Sequence, residues 1–212
     1  DAETHLNLLS GSYLYKDIFI LEKINKPVIL EKLIRALALQ IGSEVNYVEL
    51  GNTIGADRKT VERYIDLLEK AFVVFRLPAF NRNLRNEIKK GRKIYFWDCG
   101  IRNAVIGNFN PLHSRTDVGA LWENYLVSER IKLIFNSQAK SFFWRTVQQQ
   151  EIDYIEQLNE KLYACEFKWA KAKKAKITKA FTNAYPESKN YIINKDNYET
   201  LLLKTNITEK DL

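Results

Sequence analysis

The fold of the C-terminal half is decided by two segments, Glu-Ile-Asp-Tyr-Ile-Glu (151–156) and Leu-Tyr-Ala-Cys-Glu-Phe-Lys-Trp (162–169). Polar and apolar residues alternate along both segments, and a short polar turn separates them, which predicts a β-hairpin. Residues two apart on a strand share a face. Asp153 and Glu166 are therefore predicted to converge across the two strands, with Lys168 beside them.

These residue types suit magnesium-dependent phosphodiester chemistry. Mg²⁺ takes oxygen ligands and keeps several waters, so Asp153 and Glu166 are candidate metal ligands. A bound metal lowers the pKa of a coordinated water and neutralises charge on phosphoryl oxygens. Lys168 would orient the attacking water or contact the phosphate. The alternative is a half-exposed hairpin with ordinary surface charges, because charged side chains mostly lie at the surface.

The composition indicates a folded protein of one or two domains, with 212 residues of which 46% are hydrophobic and 28% charged. No apolar run reaches the roughly 18 residues of a membrane span, and no secretory leader is present. Cys99 and Cys165 match neither a disulfide framework nor a zinc site, so we expect a cytoplasmic location. The net charge of +7 indicates a polyanion partner such as nucleic acid. Because the chain starts at Asp1 and contains no methionine, we expect it to begin inside a longer protein or after a disordered or cleaved segment.

The N-terminal half is predicted to contain a connecting arm (1–14) and a winged-helix domain (15–107). Asn46 and Asp57 are expected to cap the two helices of a helix-turn-helix over residues 46–70. Strands at 72–77 and 93–97 enclose a basic loop, the wing. The helix that precedes the helix-turn-helix is predicted to be buried through Val28, Leu30, Leu33, Ile34, Ala36, Leu37, Leu39 and Ile41.

The C-terminal half begins after a cluster of Gly, Asn, Pro and Ser at residues 107–116, which predicts a domain boundary. Residues 117–212 are expected to follow an α-β-β-β-α-β order, so the whole chain is assigned to the α+β class. The segments are a helix at 118–136, a strand at 141–145, the hairpin strands, a helix at 173–184 and a strand at 189–193. Glu123 of the first helix would approach Asp153 and Glu166, although a solvated helix position is an equal alternative.

Basic residues in both halves are candidates for nucleic-acid contacts. In the N-terminal half they are Arg58, Lys59 and Arg63 of the second helix-turn-helix helix and Arg85, Lys89, Lys90 and Arg92 of the wing. In the C-terminal half they are Lys171, Lys173 and Lys174, followed by Lys176 and Lys179. The alternative is a solvated basic surface, or one that docks on another region of the parent protein.

These features together resemble the PD-(D/E)XK nuclease superfamily, whose fold is restriction-endonuclease-like. The resemblance rests on the α-β-β-β-α-β order, a helix Glu, an Asp on the second strand and Glu-x-Lys on the third. More narrowly, the chain resembles the C-terminal region of bacterial and archaeal AAA+ P-loop ATPases with a DUF4143 domain. The runs that carry it are Gly-Ser-Tyr-Leu-Tyr-Lys-Asp-Ile (11–18), the 46–70 helix-turn-helix, Tyr-Phe-Trp-Asp-Cys-Gly-Ile-Arg-Asn (95–103), Leu-Trp-Glu-Asn-Tyr (121–125) and Glu-Ile-Asp (151–153).

The resemblance implies a set of site residues and a partner. The nuclease-like pattern falls on Glu123, Asp153, Glu166 and Lys168 as catalytic positions, with Asp153 and Glu166 as ligands for Mg²⁺. The superfamily's Pro is missing, because Ile152 precedes Asp153. The partner implied is an N-terminal ATPase domain. This sequence has no Gly-x-x-x-x-Gly-Lys-[Ser/Thr] run, so neither an ATP site nor ATPase activity is expected in it.

The function expected from the sequence is a nucleic-acid-binding, nuclease-like module of a P-loop ATPase, with DNA as its partner and no membrane association. An active magnesium-dependent nuclease is the alternative. It differs in that cutting would need Mg²⁺ or Mn²⁺ and would be abolished by Asp153→Ala or Lys168→Ala. A protein-interaction scaffold is the third hypothesis, since winged helices often serve that role.

Overall fold

The computed structural model describes residues 1–9, 11, 27–81, 91–170 and 176–203. The chain forms two compact units, one of Asp1–Arg76 with Lys93–Arg115 and one of Leu77–Arg92 with Thr116–Leu212. Helices and strands both contribute, which confirms the α+β class.

The first unit combines helices with a small sheet. Its helices are α1 (Ala2–Leu8), α2 (Pro27–Leu39), α3 (Tyr47–Ile54), α4 (Arg58–Lys70) and α5 (Cys99–Ile106), followed by a 3-10 helix (Leu112–Ser114). Its sheet has the order β1-β3-β2, from β1 (Glu44–Val45), β2 (Val74–Pro78) and β3 (Arg92–Phe96). The last two residues of β2 and the first residue of β3 are assigned to the second unit. Helix α1 forms within residues 1–14, where the sequence shows no clear period.

The two helices α3 and α4 begin at the N-caps expected from the sequence. Asn46 Oδ1 accepts the backbone N–H of Val48 (2.9 Å), and Asp57 Oδ1 accepts that of Thr60 (2.9 Å). Hydrogen bonds from the backbone and side chain of Thr60 hold the Asp57 pKa below its usual value. Gly55 occupies the left-handed region (φ 76°) between the helices, which a residue without Cβ adopts freely.

Helix α2 buries a narrower stripe than the sequence predicted. Leu30, Leu33 and the neighbouring core positions are fully buried, but Val28 and Leu39 are 58% and 65% exposed. The prediction was wrong for these two because a helix of 3.6 residues per turn turns one stripe inward. Leu39 lies two positions beyond buried Leu37 and so points away from it.

The second unit has one helix, three strands, a helix and a strand. Its elements are α6 (Val118–Ile134), β4 (Lys140–Arg145), β5 (Glu151–Leu158), β6 (Lys161–Phe167), α7 (Lys179–Ala184) and β7 (Lys189–Ile193), with a final α8 (Tyr198–Leu203). The sheet order is β4-β5-β6-β7. Strands β4, β5 and β6 are antiparallel neighbours, and β7 runs parallel to β6.

Helix α7 starts later than the sequence predicted. The expected start was residue 173, whereas the helix begins at Lys179, and residues 171–175 lie outside the described part of the chain. Thr178 is its N-cap, with extended backbone angles and a side chain that accepts the Phe181 N–H (3.3 Å). A helix cannot continue through such a residue, so Ile177 precedes the helix.

The sheet of the second unit lies between helices. Ile155 and Glu156 are successive residues of β5 and therefore point to opposite faces. Arg130 of α6 binds Glu156 on one face, whereas Phe181 of α7 clusters with Ile155 and Ala164 on the other. The two helices thus cover opposite faces of the sheet. In the described part of the chain, no helix combines the length and the apolar character that crossing a bilayer requires.

Candidate active site

Three carboxylates meet at the end of the sheet where β5 begins. Glu123 comes from the second turn of α6, and Glu151 and Asp153 lie among the first three residues of β5. One carboxylate oxygen of each lies within 4.8 Å of the others, and all three residues are half-buried. Two oxygens bound to one Mg²⁺ at roughly 2.0–2.1 Å lie at most about 4.2 Å apart. Small rotamer changes therefore suffice to bring the three carboxylates into ligand range.

Asp153 and Glu166, the predicted metal pair, come from the neighbouring strands β5 and β6. Tyr154 of β5 pairs with Cys165 of β6, and Asp153 and Glu166 are the residues next to this pair. The backbone of β5 is irregular here, because the register of its pairing with β4 shifts at this point. Asp153 Oδ2 also accepts the backbone N–H of Phe167 (2.7 Å), so β6 holds the Asp153 carboxylate in place.

Glu166 forms an ion pair with Lys168 and is not part of the close carboxylate group. Its Oε1 lies 2.7 Å from Lys168 Nζ. The two side chains are two residues apart at the end of β6, and this spacing puts them on one side of an extended backbone. The close carboxylate group therefore consists of Glu123, Glu151 and Asp153, with the Glu166–Lys168 ion pair beside it.

Lys168 supplies positive charge at this site. Partial burial lowers the pKa of its amine, but Glu166 raises it through a hydrogen bond and through its charge, and the carboxylates of Asp153 and Glu123 raise it further. The net result is a pKa above the ordinary lysine value. The side chain is therefore a cation at neutral pH, suited to attracting phosphate or stabilising negative charge and not to accepting a proton.

Glu151 is a candidate ligand to which the sequence alone assigned no role. It faces Arg145 across the β4–β5 pair, with Arg145 Nε 3.3 Å from Glu151 Oε2. The signal that could have found it is its position two residues before Asp153 on the same strand. The sequence predicted that Glu123 approaches Asp153, but it could not show that α6 also brings Glu123 to Glu151.

A buried ion pair fixes α6 against β5, the two elements that carry the carboxylate group. Arg130 Nε and Nη2 each lie 2.7 Å from a Glu156 oxygen, and the two side chains are 0% and 1% exposed. Arg130 also donates to the Leu201 carbonyl of α8 (2.8 Å), and the Tyr154 hydroxyl donates to Glu156 (3.1 Å). Burial lowers the pKa of Arg130, but the hydrogen bond and charge of Glu156 raise it by more, which keeps the guanidinium charged.

The candidate nucleic-acid residues of α4 belong to the other unit and are exposed. Lys59 and Arg63 are four residues apart and share a helix face, and Arg58 precedes them in the first turn. The guanidinium carbon of Arg63 lies 5.0 Å from the Tyr64 ring centroid. Arg92 is half-buried at the start of β3. Lys176 and Lys179 are exposed. The other candidates, Arg85, Lys89, Lys90, Lys171, Lys173 and Lys174, lie outside the described residues.

Two family models match different halves of the sequence. Residues 4–112 match a family described as a domain of unknown function (DUF8612). Residues 118–208 match a second domain of unknown function (DUF4143). The predicted relationship to DUF4143 is confirmed for the C-terminal half, whereas the N-terminal half matches a separate family.

The curated relatives are longer than this chain. An uncharacterized protein of Mycobacterium tuberculosis is 28% identical over 134 residues, which is 62% of this chain and 30% of that protein. An uncharacterized protein of Mycobacterium bovis gives the same values. One of Haemophilus influenzae is 29% identical over 110 residues, which is 50% of this chain and 28% of that protein. The chain thus spans about 30% of the length of the curated relatives it matches. No solved structure matches it.

Proposed function

The chain belongs to the family described as a domain of unknown function, DUF8612, and we propose that it is a nucleic-acid-binding module with a metal-dependent, nuclease-like site in its C-terminal unit. The observation that carries the proposal is the meeting of the Glu123, Glu151 and Asp153 carboxylates within 4.8 Å. Lys168 is a cation beside them, because Glu166, Asp153 and Glu123 raise the pKa of its amine against the opposing effect of burial. Hard oxygen donors with an adjacent cation are what phosphodiester hydrolysis requires.

The order of elements supports a finer assignment of each unit. In the second unit, a helix, three antiparallel strands, a helix and a parallel strand follow in the order expected of a PD-(D/E)XK nuclease-like fold. In the first, α3 and α4 followed by β2 and β3 are consistent with a winged helix. The chain spans about 30% of its relatives. A longer parent protein with an AAA+ P-loop ATPase region is therefore part of the proposal.

The carboxylate group has the chemistry to hold Mg²⁺ or Mn²⁺. The ligand atoms would be carboxylate oxygens of Glu123, Glu151 and Asp153. Glu166 would become a further ligand if its ion pair with Lys168 were broken. A divalent cation bound there supplies charge neutralisation and a more acidic coordinated water. Because three carboxylates close together repel one another, a cation between them also relieves an electrostatic cost of the fold.

Each residue has a distinct part in the proposed hydrolysis. Asp153 is held by the Phe167 N–H and so presents a fixed carboxylate. Lys168 binds a non-bridging oxygen of the scissile phosphate and stabilises the negative charge that develops on it. Water attacks the phosphorus atom and gives up a proton to solvent as the new P–O bond forms. The bond to the leaving ribose oxygen breaks, and that oxygen takes up a proton from solvent.

The test is a nuclease assay on labelled single-stranded and duplex oligonucleotides with Mg²⁺, with Mn²⁺ or with EDTA. Cleavage should require the metal, and Asp153→Asn and Lys168→Met should each lower its rate about 100-fold or more. Glu160→Gln removes an exposed carboxylate at the tip of the same hairpin and should leave the rate unchanged. Cleavage that persists in EDTA, or that survives Asp153→Asn, would contradict the proposal.

Nucleic-acid binding without hydrolysis is the second candidate, and the exposed Arg58, Lys59 and Arg63 on α4 favour it. Each phosphate contact contributes about −0.9 to the slope of log K against log salt on duplex DNA. Replacing all three residues by Ala should therefore flatten the slope by up to about 2.7. Lys70→Ala at the other end of α4 is the matched control and should leave the slope unchanged. An unchanged slope in the triple variant would remove α4 from the interface.

A further inference from the structure

We propose that an aromatic surface next to the carboxylate group stacks the bases of a single-stranded nucleic acid. The surface consists of Trp122 and Tyr125 of α6, Trp169 after β6, and Tyr198 of α8. The inference deepens the proposed function, on which it rests, because it names single strands as the substrate class.

The four rings form one cluster centred on Trp122. The Trp122 ring centroid lies 5.8 Å from that of Tyr125 in a stacked arrangement, and 5.4 Å and 5.2 Å from those of Trp169 and Tyr198 in edge-to-face arrangements. Tyr125 and Tyr198 are themselves 6.5 Å apart. Such contacts hold the rings in fixed orientations, so they are preorganised for further stacking.

The outer rings of this cluster are accessible. Trp122 is 8% exposed, but Tyr125, Trp169 and Tyr198 are half-buried and keep part of their rings in solvent. Exposed Lys195 places its Nζ 4.8 Å from the Trp169 ring centroid. Because Lys195 is itself exposed, the side of the Trp169 ring that it covers lies at the protein surface. A base could take the same place while Lys195 turns to the phosphate.

The buried Trp122 adds a second observation that points to a ligand. Its indole N–H is buried and has no hydrogen-bond partner among the described residues. Buried donors normally have an acceptor, and a donor without one is costly. A base carbonyl or phosphate oxygen of a bound strand would satisfy this N–H once the rings around it shift enough to admit the acceptor.

The chain connects this surface directly to the proposed site. Trp169 follows Lys168, and Trp122 precedes Glu123, so the same two segments carry the aromatic cluster and the proposed site. A duplex keeps its bases stacked on each other and cannot offer them to Trp169. Aromatic rings combined with lysine are the usual means of holding unpaired strands.

The experiment measures binding in EDTA, so that it does not depend on metal or on cleavage. The full 212-residue chain is titrated against fluorescein-labelled 15-mers of deoxythymidine and of uridine, against an abasic 15-mer, and against a 15-base-pair duplex. Fluorescence anisotropy gives Kd, and quenching of tryptophan emission reports stacking. Trp169→Leu and Tyr198→Leu are compared with Phe135→Leu, which alters an aromatic residue that is 70% exposed elsewhere. Circular dichroism verifies that each variant is folded.

We expect at least one of the single-stranded 15-mers to bind more tightly than the abasic strand and the duplex. Trp169→Leu should weaken its binding about 5- to 150-fold, which corresponds to roughly 1–3 kcal/mol per stacked base. Trp169→Phe keeps a ring and should retain most of the binding while it reduces the quenching. Equal affinity for the abasic strand, preference for the duplex, or equal losses in Trp169→Leu and Phe135→Leu would overturn the inference. Stacking without any metal-dependent cleavage would leave the inference standing and refute the hydrolysis.

Discussion

Replacing Glu156 by Gln should destabilise the second unit, because it leaves the Arg130 guanidinium buried without a counter-charge. The pair is bidentate at 2.7 Å, and the two side chains are 0% and 1% exposed, so water cannot take over the role of Glu156. The Gln side chain keeps the shape of Glu and one acceptor oxygen. The perturbation is therefore the loss of one charge.

The magnitude follows from this burial. Breaking a buried ion pair by removing one partner costs about 3–5 kcal/mol. The retained Gln acceptor places Glu156→Gln near the lower end, at about 3 kcal/mol. For a protein of this size a loss of 1 kcal/mol lowers Tm by roughly 2–4 °C, which gives a decrease of about 6–12 °C. The surface pair Glu129–Lys132 on the same helix, with side chains 38% and 42% exposed, is the control. Glu129→Gln should cost less than about 1 kcal/mol.

The assay is urea unfolding followed by tryptophan fluorescence, since three of the four tryptophans, Trp122, Trp144 and Trp169, lie in the second unit. The double variant Arg130→Met/Glu156→Leu removes both charges and should recover most of the lost stability. The stability that the double variant does not recover reflects two lost hydrogen bonds: the Leu201 carbonyl loses its Arg130 donor, and the Tyr154 hydroxyl loses its Glu156 acceptor. That hydroxyl keeps Ser141 at 2.8 Å. The reasoning fails if Glu156→Gln costs no more than Glu129→Gln, or if the double variant is less stable than the single one.

Further predictions concern backbone packing and pH. Gly51→Ala should cost about 1–3 kcal/mol by chemical denaturation, because a Cβ there would overlap the Ala56 carbonyl. Gly119→Ala, a helical glycine with nothing within 4 Å of the added carbon, should instead stabilise by about 0.4–1 kcal/mol; the reverse order would refute the packing argument. The Lys168 pKa is raised, so its pair with Glu166 should stabilise the fold below the unfolded lysine pKa of about 10.4 and lose that contribution as pH rises through the folded value. The difference in unfolding free energy between the native chain and Lys168→Met should thus stay constant within the error of the measurement from about pH 6 to about pH 9 and shrink above about pH 10. Growth of that difference with pH would contradict the assignment.

The strands and caps were accessible from the sequence because their signals are local. Alternation over 151–156 and 162–169 predicts the hairpin that β5 and β6 form, in which Tyr154 pairs with Cys165. Asn46 and Asp57 were identifiable as caps because a side-chain acceptor at a helix start has a fixed local geometry. Each of these features depends on residues close together in the chain.

Contacts between distant segments were not accessible. Nothing in the pattern of α6 marks Arg130 as buried, since a charged residue in an amphipathic helix is ordinarily solvated. Its partner Glu156 lies on another element, and only tertiary packing joins them. The same packing brings Glu123 to Glu151, which the sequence left without a role. The sequence therefore named Glu123 and Asp153 as candidates, but their grouping with Glu151 is visible only in the tertiary structure.

Titration of the chain with Mn²⁺ by isothermal titration calorimetry tests the central claim most directly. We expect one binding event per chain, lost or strongly weakened in Asp153→Asn and in Glu151→Gln and unchanged in Glu160→Gln. Because the claim concerns the three grouped carboxylates, Glu151→Gln separates it from a site made by Asp153 and Glu166 alone. Absence of binding in the native chain, or equal binding in all four proteins, would contradict the account.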